Sequence, residues 1–429
     1  MKKLLAGQEI VIFSQKIIIK FGFKIQKDYV KNSIMKIIKN VEVVDTAFGG
    51  FGVVKVKNMP VIFVPKTVEK DVIDLEILKS KKSYSFGKLL NIVKPSPYRI
   101  QPNCKYTDIC GGCSFGFIDY NYQIKIKEKI VKNFFRNFNG FKIDKIIKSP
   151  QEGYRFRANF KLFKNKFGFL KFKTHEFLEI EECKICKPSI IEKIKSFLEY
   201  FNFNKLTNCY IIENEKNEAL VRIDLHLNLE KFNLLKVAGI KSLNSFKGKN
   251  YIEINVNDNS YFAGFNSFSQ SNRFLLKDFL EISTNFIDKS DNVLELYSGS
   301  GFFTNKISKI AKNVIAVENN NEAIELLKLK RNTNVHIINK NVNNLSFENF
   351  KNFNVLFVDP PRSGLTDKII KNISKKRFEK IIYVSCNPST LARDIYKLKP
   401  LYKIEKCFIV DMFPNTHHIE LVIYLKNFL

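Results

Sequence analysis

The sequence lacks any long hydrophobic run and any convincing internal repeat. No apolar stretch approaches the roughly 20 residues that a membrane-spanning helix needs, so we expect no membrane segment. The first residues, MKKLLAGQEIVIFSQK, start like a signal peptide, but Gln8, Glu9, Gln15 and Lys16 interrupt the apolar core that such a peptide requires. We therefore expect a cytoplasmic protein.

Acidic residues are scarce beside basic ones. The chain has 42 Asp and Glu against 71 Lys and Arg, which gives a formal net charge of +29. An excess of this size indicates an acidic partner, and nucleic acid is the commonest one. Lys, Asn, Ile and Phe are all abundant, so part of the excess can instead reflect a biased coding composition.

The pattern of strands and helices divides the 429 residues into several domains. Residues 38–96 contain short strands separated by turns, which predicts a small β-barrel. Residues 97–265 mix a helical pattern with alternating, strand-like stretches and form a predicted α+β central domain. Strand and helix alternate over residues 266–429, which predicts a doubly wound α/β sheet. Residues 1–37 fit none of these patterns and are left as an N-terminal extension.

The stretch VLELYSGSGFF reads as a strand followed by a glycine-rich turn. Gly299 and Gly301 let the backbone approach a ligand closely. The next strand, NVIAVE, ends in Glu318, whose carboxylate can accept both hydroxyls of a ribose. The turn is not GxGxxG, which argues against a dinucleotide. An acidic site without a phosphate cradle suits S-adenosylmethionine, which is cationic and has no phosphate.

Two further predicted strands end in reactive or rigid residues. FVDPPRSGL places Asp359 at a strand end, before two prolines that fix an extended turn. YVSCNPSTLARD places Cys386 at the mouth of a strand, where ligands bind in a parallel α/β sheet. The alternative for Cys386 is a small apolar residue packed in a turn.

These motifs resemble those of the RNA uracil-C5 methyltransferases. The resemblance rests on DPPRSGL, YVSCNPSTLARD and the C-terminal MFPNTHHIELVIYL, with FSQSN, CKYTDICGGCSF and VEVVDTAFGGFGVVKV upstream. It covers nearly all of residues 38–429. It implies a Rossmann-like class I methyltransferase domain, an OB-like TRAM barrel over 38–96, and an iron–sulfur and RNA-binding central domain.

The resemblance also implies roles for individual residues. Cys386 would add to C6 of the uracil as a nucleophile, and Glu420 would remove the C5 proton as a general base. A surface carboxylate is the alternative for Glu420. The residues implied in binding S-adenosylmethionine are Gln270, Tyr297, Gly299, Gly301, Glu318, Asn341 and Asp359. One position departs from the family, because Phe302 stands where Asn or Thr is common.

Three cysteines with the spacing C-x5-C-x2-C match the family's iron–sulfur motif. They are Cys104, Cys110 and Cys113, and Cys183 is the implied fourth ligand of a [4Fe–4S] cluster because Pro188 follows it five residues later. Cys186 is the other candidate for that position. Zinc is the alternative metal, although the x5 spacing is unusual for it.

RNA is the expected partner, and no obligate protein partner is evident. Iron–sulfur members of the family mostly act on large-subunit rRNA, so 23S rRNA is the first expectation and tRNA the alternative. The residues expected to contact RNA are Phe268, Arg155, Arg157 and Arg362. Phe268 would stack on the flipped uracil, or else be a core aromatic. A non-catalytic ribosome-assembly factor is a rival, and a cytosine-C5 enzyme would need Pro before the cysteine.

Overall fold

A computed structural model describes residues 8–12, 17–21 and 36–428 of the chain. It divides into two compact units as far as the chain is described: Met1–Gly140 with Phe413–His418, and Phe141–Met412 with Ile419–Leu429. None of the helices in these described ranges is long and apolar enough to cross a membrane. The predicted division at residues 37, 96 and 265 remains a prediction.

The first unit consists mainly of strands. Its elements are β1 (Gln8–Ile12), β2 (Ile17–Phe21), β3 (Ile37–Ala47), β4 (Phe51–Val54), β5 (Val61–Pro65), β6 (Val72–Ser80), β7 (Tyr84–Lys94) and α1 (Tyr120–Phe134). Strands β1 and β2 form an antiparallel pair within the predicted extension. Helix α1 begins at Asp119, whose side chain accepts a hydrogen bond from the Tyr122 amide, as expected of an N-cap.

Strands β3 to β7 close into a five-stranded barrel in the order β3-β4-β5-β7-β6. Closure leaves no unpaired edge strand, and alternate side chains point inward. Val54, Ile62 and Leu75 are fully buried in its interior. Gly52 is required by this packing, because a Cβ there would meet the Thr67 side chain. The predicted N-terminal barrel is confirmed as a closed five-stranded barrel.

The second unit contains two larger sheets. Its elements are β8 (Lys145–Ile147), β9 (Arg157–Phe163), β10 (Lys166–Leu170), β11 (Phe177–Glu179), α2 (Pro188–Tyr200), β12 (Thr207–Glu213), β13 (Ala219–Ile223), β14 (Gly239–Lys241), β15 (Phe246–Gly248), β16 (Tyr251–Val256), β17 (Asn259–Gly264), α3 (Leu276–Thr284), β18 (Asn292–Leu296), α4 (Thr304–Ile310), β19 (Asn313–Glu318), α5 (Asn321–Lys330), β20 (Val335–Asn339), β21 (Val355–Val358), α6 (Asp367–Lys376), β22 (Lys380–Ser385), α7 (Pro388–Leu398), β23 (Tyr402–Val410) and β24 (Glu420–Asn427), with 3-10 turns at Glu230–Leu234, Val342–Asn344 and Phe347–Phe350.

A seven-stranded sheet has the order β11-β10-β9-β12-β13-β14-β15. Strands β9 and β10 form a tight hairpin whose two central residues, Lys164 and Asn165, both have positive φ, as a type I′ turn requires. Helix α2 packs on one face of this sheet. It is fixed there by Lys193, whose ammonium lies 2.7 Å from the buried Glu213 carboxylate.

An eight-stranded sheet has the order β20-β19-β18-β21-β22-β24-β23-β8, and β18 to β22 run parallel. All six strands predicted from 292 onward are present. Strands β23 and β8 were not predicted, because β23 carries lysines among its apolar residues and β8 has only three residues. The chain order reverses between β18 and β21, and such a reversal is where α/β sheets bind ligands.

Candidate active site

Cys386 lies directly after the last residue of β22, at the carboxyl end of the parallel strands, and is half-buried. Asn387 caps α7 by accepting a hydrogen bond from the Ser389 amide. Pro388 occupies the first helical position, where its missing N–H costs nothing. Helix α7 therefore begins two residues after Cys386. This holds the thiol at the carboxyl end of β22 rather than inside the sheet.

Glu420 is the first residue of β24, which pairs antiparallel with β22. Leu421 is opposite Ser385 in the last pair of the two strands, and Glu420 and Cys386 directly follow that pair. Only 6% of Glu420 is exposed, which rules out the surface carboxylate considered above. Burial and the neighbouring Asp359 charge raise its pKa well above the ordinary value, so Glu420 holds a proton readily.

Asp359 follows β21, the neighbour of β22 on the other side. Burial of its carboxylate raises its pKa to about 7. Burial also raises the pKa of the Cys386 thiol to about 12, and the negative charge of Glu420 adds to the effect. The Arg362 guanidinium opposes this by its charge and a hydrogen bond to the thiol. The site thus combines one thiol, two carboxyl groups and one cation.

The loop that carries Asp359 and Arg362 is tied to the cysteine loop. The Arg362 carbonyl accepts hydrogen bonds from the Asn387 side-chain amide at 3.0 Å and the Thr390 hydroxyl at 3.1 Å. Both donors belong to the start of α7, directly after the thiol. The relative position of Arg362 and Cys386 is therefore fixed by hydrogen bonds from side chains at the start of α7 to the Arg362 backbone.

Asp394 supports the same loop from within α7 and was missed by the sequence analysis. It is fully buried and accepts hydrogen bonds from the Leu365 amide at 2.7 Å and the Tyr383 hydroxyl at 2.8 Å. Arg393 donates to the Asp394 carboxylate and to the Ser363 carbonyl. In the sequence, the one indication that Asp394 holds this loop is its position eight residues after Cys386, at the end of LARD.

The glycine-rich turn after β18 adopts backbone conformations that few residues tolerate. Tyr297, Gly299 and Gly301 have φ values of 64°, 54° and 95°. A Cβ built on Gly299 would meet no atom within 4 Å, so open space lies beside this turn. The Gly299 amide donates to a Glu318 carboxylate oxygen at 2.9 Å, and the Asn319 amide donates to the other at 2.7 Å.

Glu295 opens the glycine-rich turn in the sequence but is not among the residues predicted to bind the cofactor. It is 1% exposed, and one of its carboxyl oxygens, Oε2, has no hydrogen-bond partner among the described residues. Burial raises its pKa to about 8, and the charges of Asp359 and Glu318 add to the shift. The Ser298 hydroxyl, in the glycine-rich turn, is also buried without a hydrogen-bond partner among the described residues. These polar groups fit a ligand with a cationic centre and hydroxyls.

Two predicted cofactor-binding residues, Gln270 and Asn341, lie in other segments of the second unit. Gln270 is buried in the segment between β17 and α3. Asn341 is exposed and caps a 3-10 turn by accepting a hydrogen bond from the Asn343 amide. Their roles stay predictions.

Two of the residues predicted to contact RNA, Phe268 and Arg157, are in contact with each other. Phe268 is 61% exposed, so it is not the core aromatic that was its alternative. The Arg157 guanidinium lies 5.0 Å from the Phe268 ring centroid, within cation–π range. Arg155 pairs through its backbone with Asn272 and Cys186.

The predicted cluster cysteines are not gathered into a metal site. No three His, Cys, Asp or Glu side chains in the described ranges are placed to hold a metal. Cys104, Cys110 and Cys113 belong to the first unit, where the Lys66 ammonium donates to the Cys113 carbonyl at 2.9 Å. Cys183 belongs to the second unit, and a hydrogen bond from Cys186 lowers its pKa to about 7. The iron–sulfur cluster therefore stays a prediction.

Comparison with known proteins identifies a consistent set of relatives. The sequence model described as tRNA (Uracil-5-)-methyltransferase matches residues 204–428. An uncharacterized RNA methyltransferase of Nanoarchaeum equitans is 32% identical, over 85% of this chain and 89% of its own length. The tRNA (uracil(54)-C(5))-methyltransferase of Pyrococcus abyssi is 29% identical, over 87% of this chain and 96% of its own.

The fold is similar to that of a solved structure. The crystal structure of the Pyrococcus abyssi tRNA (uracil-54, C5)-methyltransferase in complex with S-adenosyl-L-homocysteine matches with a TM-score of 0.74 and 25% identity. The match covers 90% of this chain and 100% of the other. The likeness therefore includes the barrel and both sheets rather than a single domain.

Proposed function

Because the chain belongs to the tRNA (uracil-5-)-methyltransferase family, we propose that its substrate is transfer RNA and that it methylates C5 of uridine 54. It is an S-adenosylmethionine-dependent RNA uracil-C5 methyltransferase with a class I methyltransferase fold. The expectation of 23S rRNA is not supported, since the relatives above with a stated substrate act on tRNA. The observation that carries the proposed methylation is that Cys386 and Glu420 directly follow the last pair of β22 and β24, Ser385 with Leu421, and that the Glu420 charge acts on the thiol.

The thiol would begin the reaction. Uracil C5 is a weak nucleophile, and addition of the Cys386 sulfur to C6 moves the C5=C6 electrons towards O4, which makes C5 enolate-like. With a pKa of about 12, a value that already includes the opposing charge of Arg362, the thiol is protonated at neutral pH and must lose its proton before it adds to C6. The sulfonium of bound S-adenosylmethionine would supply further positive charge that favours the thiolate.

Glu420 would complete the reaction. After C5 has taken the methyl group, its proton must leave so that the C5=C6 bond re-forms and the C6–S bond breaks. A buried carboxylate with a raised pKa is a stronger base than an exposed one, so the environment of Glu420 suits this step. Asp359 and Glu295, both buried acids near the turn, would face the cationic part of the cofactor.

The direct test uses purified protein, methyl-labelled S-adenosylmethionine and RNA transcripts. We expect label in a tRNA transcript, and none when uridine 54 of that transcript is replaced by cytidine. A 23S rRNA transcript serves as the competing substrate, with the Cys386→Ala variant as the blank. Label in the rRNA but not in the tRNA would overturn the tRNA proposal and restore the rRNA expectation.

Cofactor binding should depend on pH. The pKa of Asp359 is raised to about 7 and that of Glu295 to about 8, so both carboxyl groups lose protons between pH 6 and 9. A cationic ligand binds the charged carboxylates better, so affinity for S-adenosylmethionine should rise with pH, by up to about tenfold per pH unit for each carboxyl group that is still protonated. Isothermal titration calorimetry at several pH values measures this.

The product, which carries no charge at sulfur, provides the control for that titration. S-adenosylhomocysteine has no sulfonium, so its affinity should change much less over the same pH range. Asp359→Asn should flatten the pH dependence for S-adenosylmethionine. Equal pH dependence for both ligands would show that the carboxylates do not face the sulfonium.

We retain the iron–sulfur cluster only as a prediction, supported by the C-x5-C-x2-C spacing and its resemblance to the family motif. Protein isolated without oxygen should then contain about four iron atoms per chain, as in clusters held by four cysteines. Cys183→Ser should remove the iron and Cys186→Ser should not. Iron analysis and absorption spectroscopy measure this, and protein without iron would refute the cluster.

A further inference from the structure

The seven-stranded sheet has one covered face and one open face. Phe160, Cys209 and Ile211 point to the covered face, on the side of helix α2, and are buried. Because side chains alternate along a strand, the residues between them point to the other face. Asn159 and Tyr210 point to this other face. Asn159 is exposed and Tyr210 is half-buried.

Strand register aligns polar and aromatic residues in one row across this open face. Asn159 pairs with Tyr210, Tyr210 with Arg222, Arg222 with Lys241, and Lys241 with Phe246. We call these five residues the cross-strand row. With neighbouring strands about 4.8 Å apart, the row spans roughly 19 Å. Phe246 at its end is 47% exposed.

The row contains a surface suited to planar ligands. The Arg222 guanidinium lies 3.9 Å from the Tyr210 ring centroid, so a cation and a ring are already stacked on each other. Unpaired RNA bases stack on aromatic rings and on Arg guanidinium planes.

The charge of this face is mainly positive. Arg222 and Lys241 lie in the row, and Arg157 and Lys161 flank Asn159 on β9. One acid opposes them, because Asp224 lies 3.4 Å from Arg222 and accepts a hydrogen bond from Asn208. The excess of cations fits the phosphate backbone of RNA. An acidic protein surface would explain the cations but not the aromatic ring stacked on Arg222.

The open face is continuous with the segment that precedes α3. Arg222 donates to the Asn266 side-chain oxygen at 2.7 Å, and Arg157 lies against Phe268. The same segment contains Gln270, a predicted cofactor residue. A strand of RNA lying on the row would therefore pass towards the residues predicted to receive the target base.

We infer that the cross-strand row is a binding surface for single-stranded RNA, which holds nucleotides flanking the target uridine by stacking on Tyr210 and by contacts from Arg222 and Lys241. The inference rests on the proposed function, because it assumes an RNA substrate. It adds a surface formed by residues of β9, β12, β13, β14 and β15 that lie outside the predicted site.

Fluorescence anisotropy with a labelled oligouridylate of about ten nucleotides tests this, over a range of salt concentrations. Tyr210→Ala should weaken binding about tenfold with an unchanged salt slope, since stacking is lost but no charge is. Tyr210→Phe should bind as the wild type. Lys241→Gln should weaken binding and reduce the salt slope by about 0.7, the value for one phosphate contact on a single strand.

Lys195→Gln is the matched control, because Lys195 is exposed on α2, which covers the opposite face. If Tyr210→Ala and Lys241→Gln bind like Lys195→Gln while tRNA methylation continues, the inference is wrong and the proposed function stands. If both weaken binding but no RNA is methylated, the surface is supported and the proposed function fails. Equal binding of a duplex of the same length, with the same dependence on Tyr210, would overturn the single-strand assignment.

Discussion

Replacing Cys386 with alanine is expected to abolish methyl transfer while leaving tRNA and cofactor binding intact. C5 becomes nucleophilic only after the sulfur has added to C6, so without the thiol the methyl group has no acceptor. We expect the rate to fall by roughly 10⁴-fold or more, as when other covalent nucleophiles are removed. Label transfer from S-adenosylmethionine to tRNA measures the rate, and filter binding measures the affinity.

Cys407→Ala is the matched control for that change. Cys407 lies in β23 of the same sheet and is fully buried, but it shows no contact with the site. Its loss should cost some stability and leave methyl transfer near the wild-type rate. Residual turnover by Cys386→Ala above a hundredth of the wild-type rate would mean that another group activates C5.

The Glu420→Gln variant should transfer one methyl group and then stop. Glutamine has the shape of glutamate but does not accept the C5 proton, so the C6–S bond to Cys386 cannot break. The enzyme should remain covalently joined to the methylated RNA. A denaturing gel with labelled RNA should therefore show a slowly migrating protein–RNA band.

Two controls identify that band. The double variant Cys386→Ala with Glu420→Gln should show no band, because no sulfur is available to form the adduct. Glu325→Gln, which changes an exposed glutamate on α5, should turn over normally and leave no band. Normal turnover by Glu420→Gln would contradict the assignment, and Asp359 would be the next base to test.

The motifs and the order of the elements follow from the amino-acid sequence alone. Cys386, Asp359 and Glu318 each follow or end an apolar, β-branched run, and such runs form the strands of a parallel sheet. Because the carboxyl ends of parallel strands share one edge, the strand pattern is enough to place these three residues at that edge. The barrel follows likewise from its short strands and turns.

The sequence does not determine which further residues act with the predicted site. Glu295 lies in VLELYSGSGFF and Asp394 ends YVSCNPSTLARD, but their burial and contacts depend on the folded chain. The cross-strand row joins residues from 159 to 246. Only strand register aligns them, because a shift of one residue would turn each side chain to the other face.

Tertiary packing also sets the chemistry of the groups that the motifs supply. The sequence has Glu420 beside two histidines near the C-terminus, a position that fits an exposed carboxylate equally well. Pairing of β24 with β22 brings it next to Cys386, and burial raises its pKa. Residue type and spacing follow from the sequence, whereas the loss of water that changes a pKa depends on every segment folded around the group.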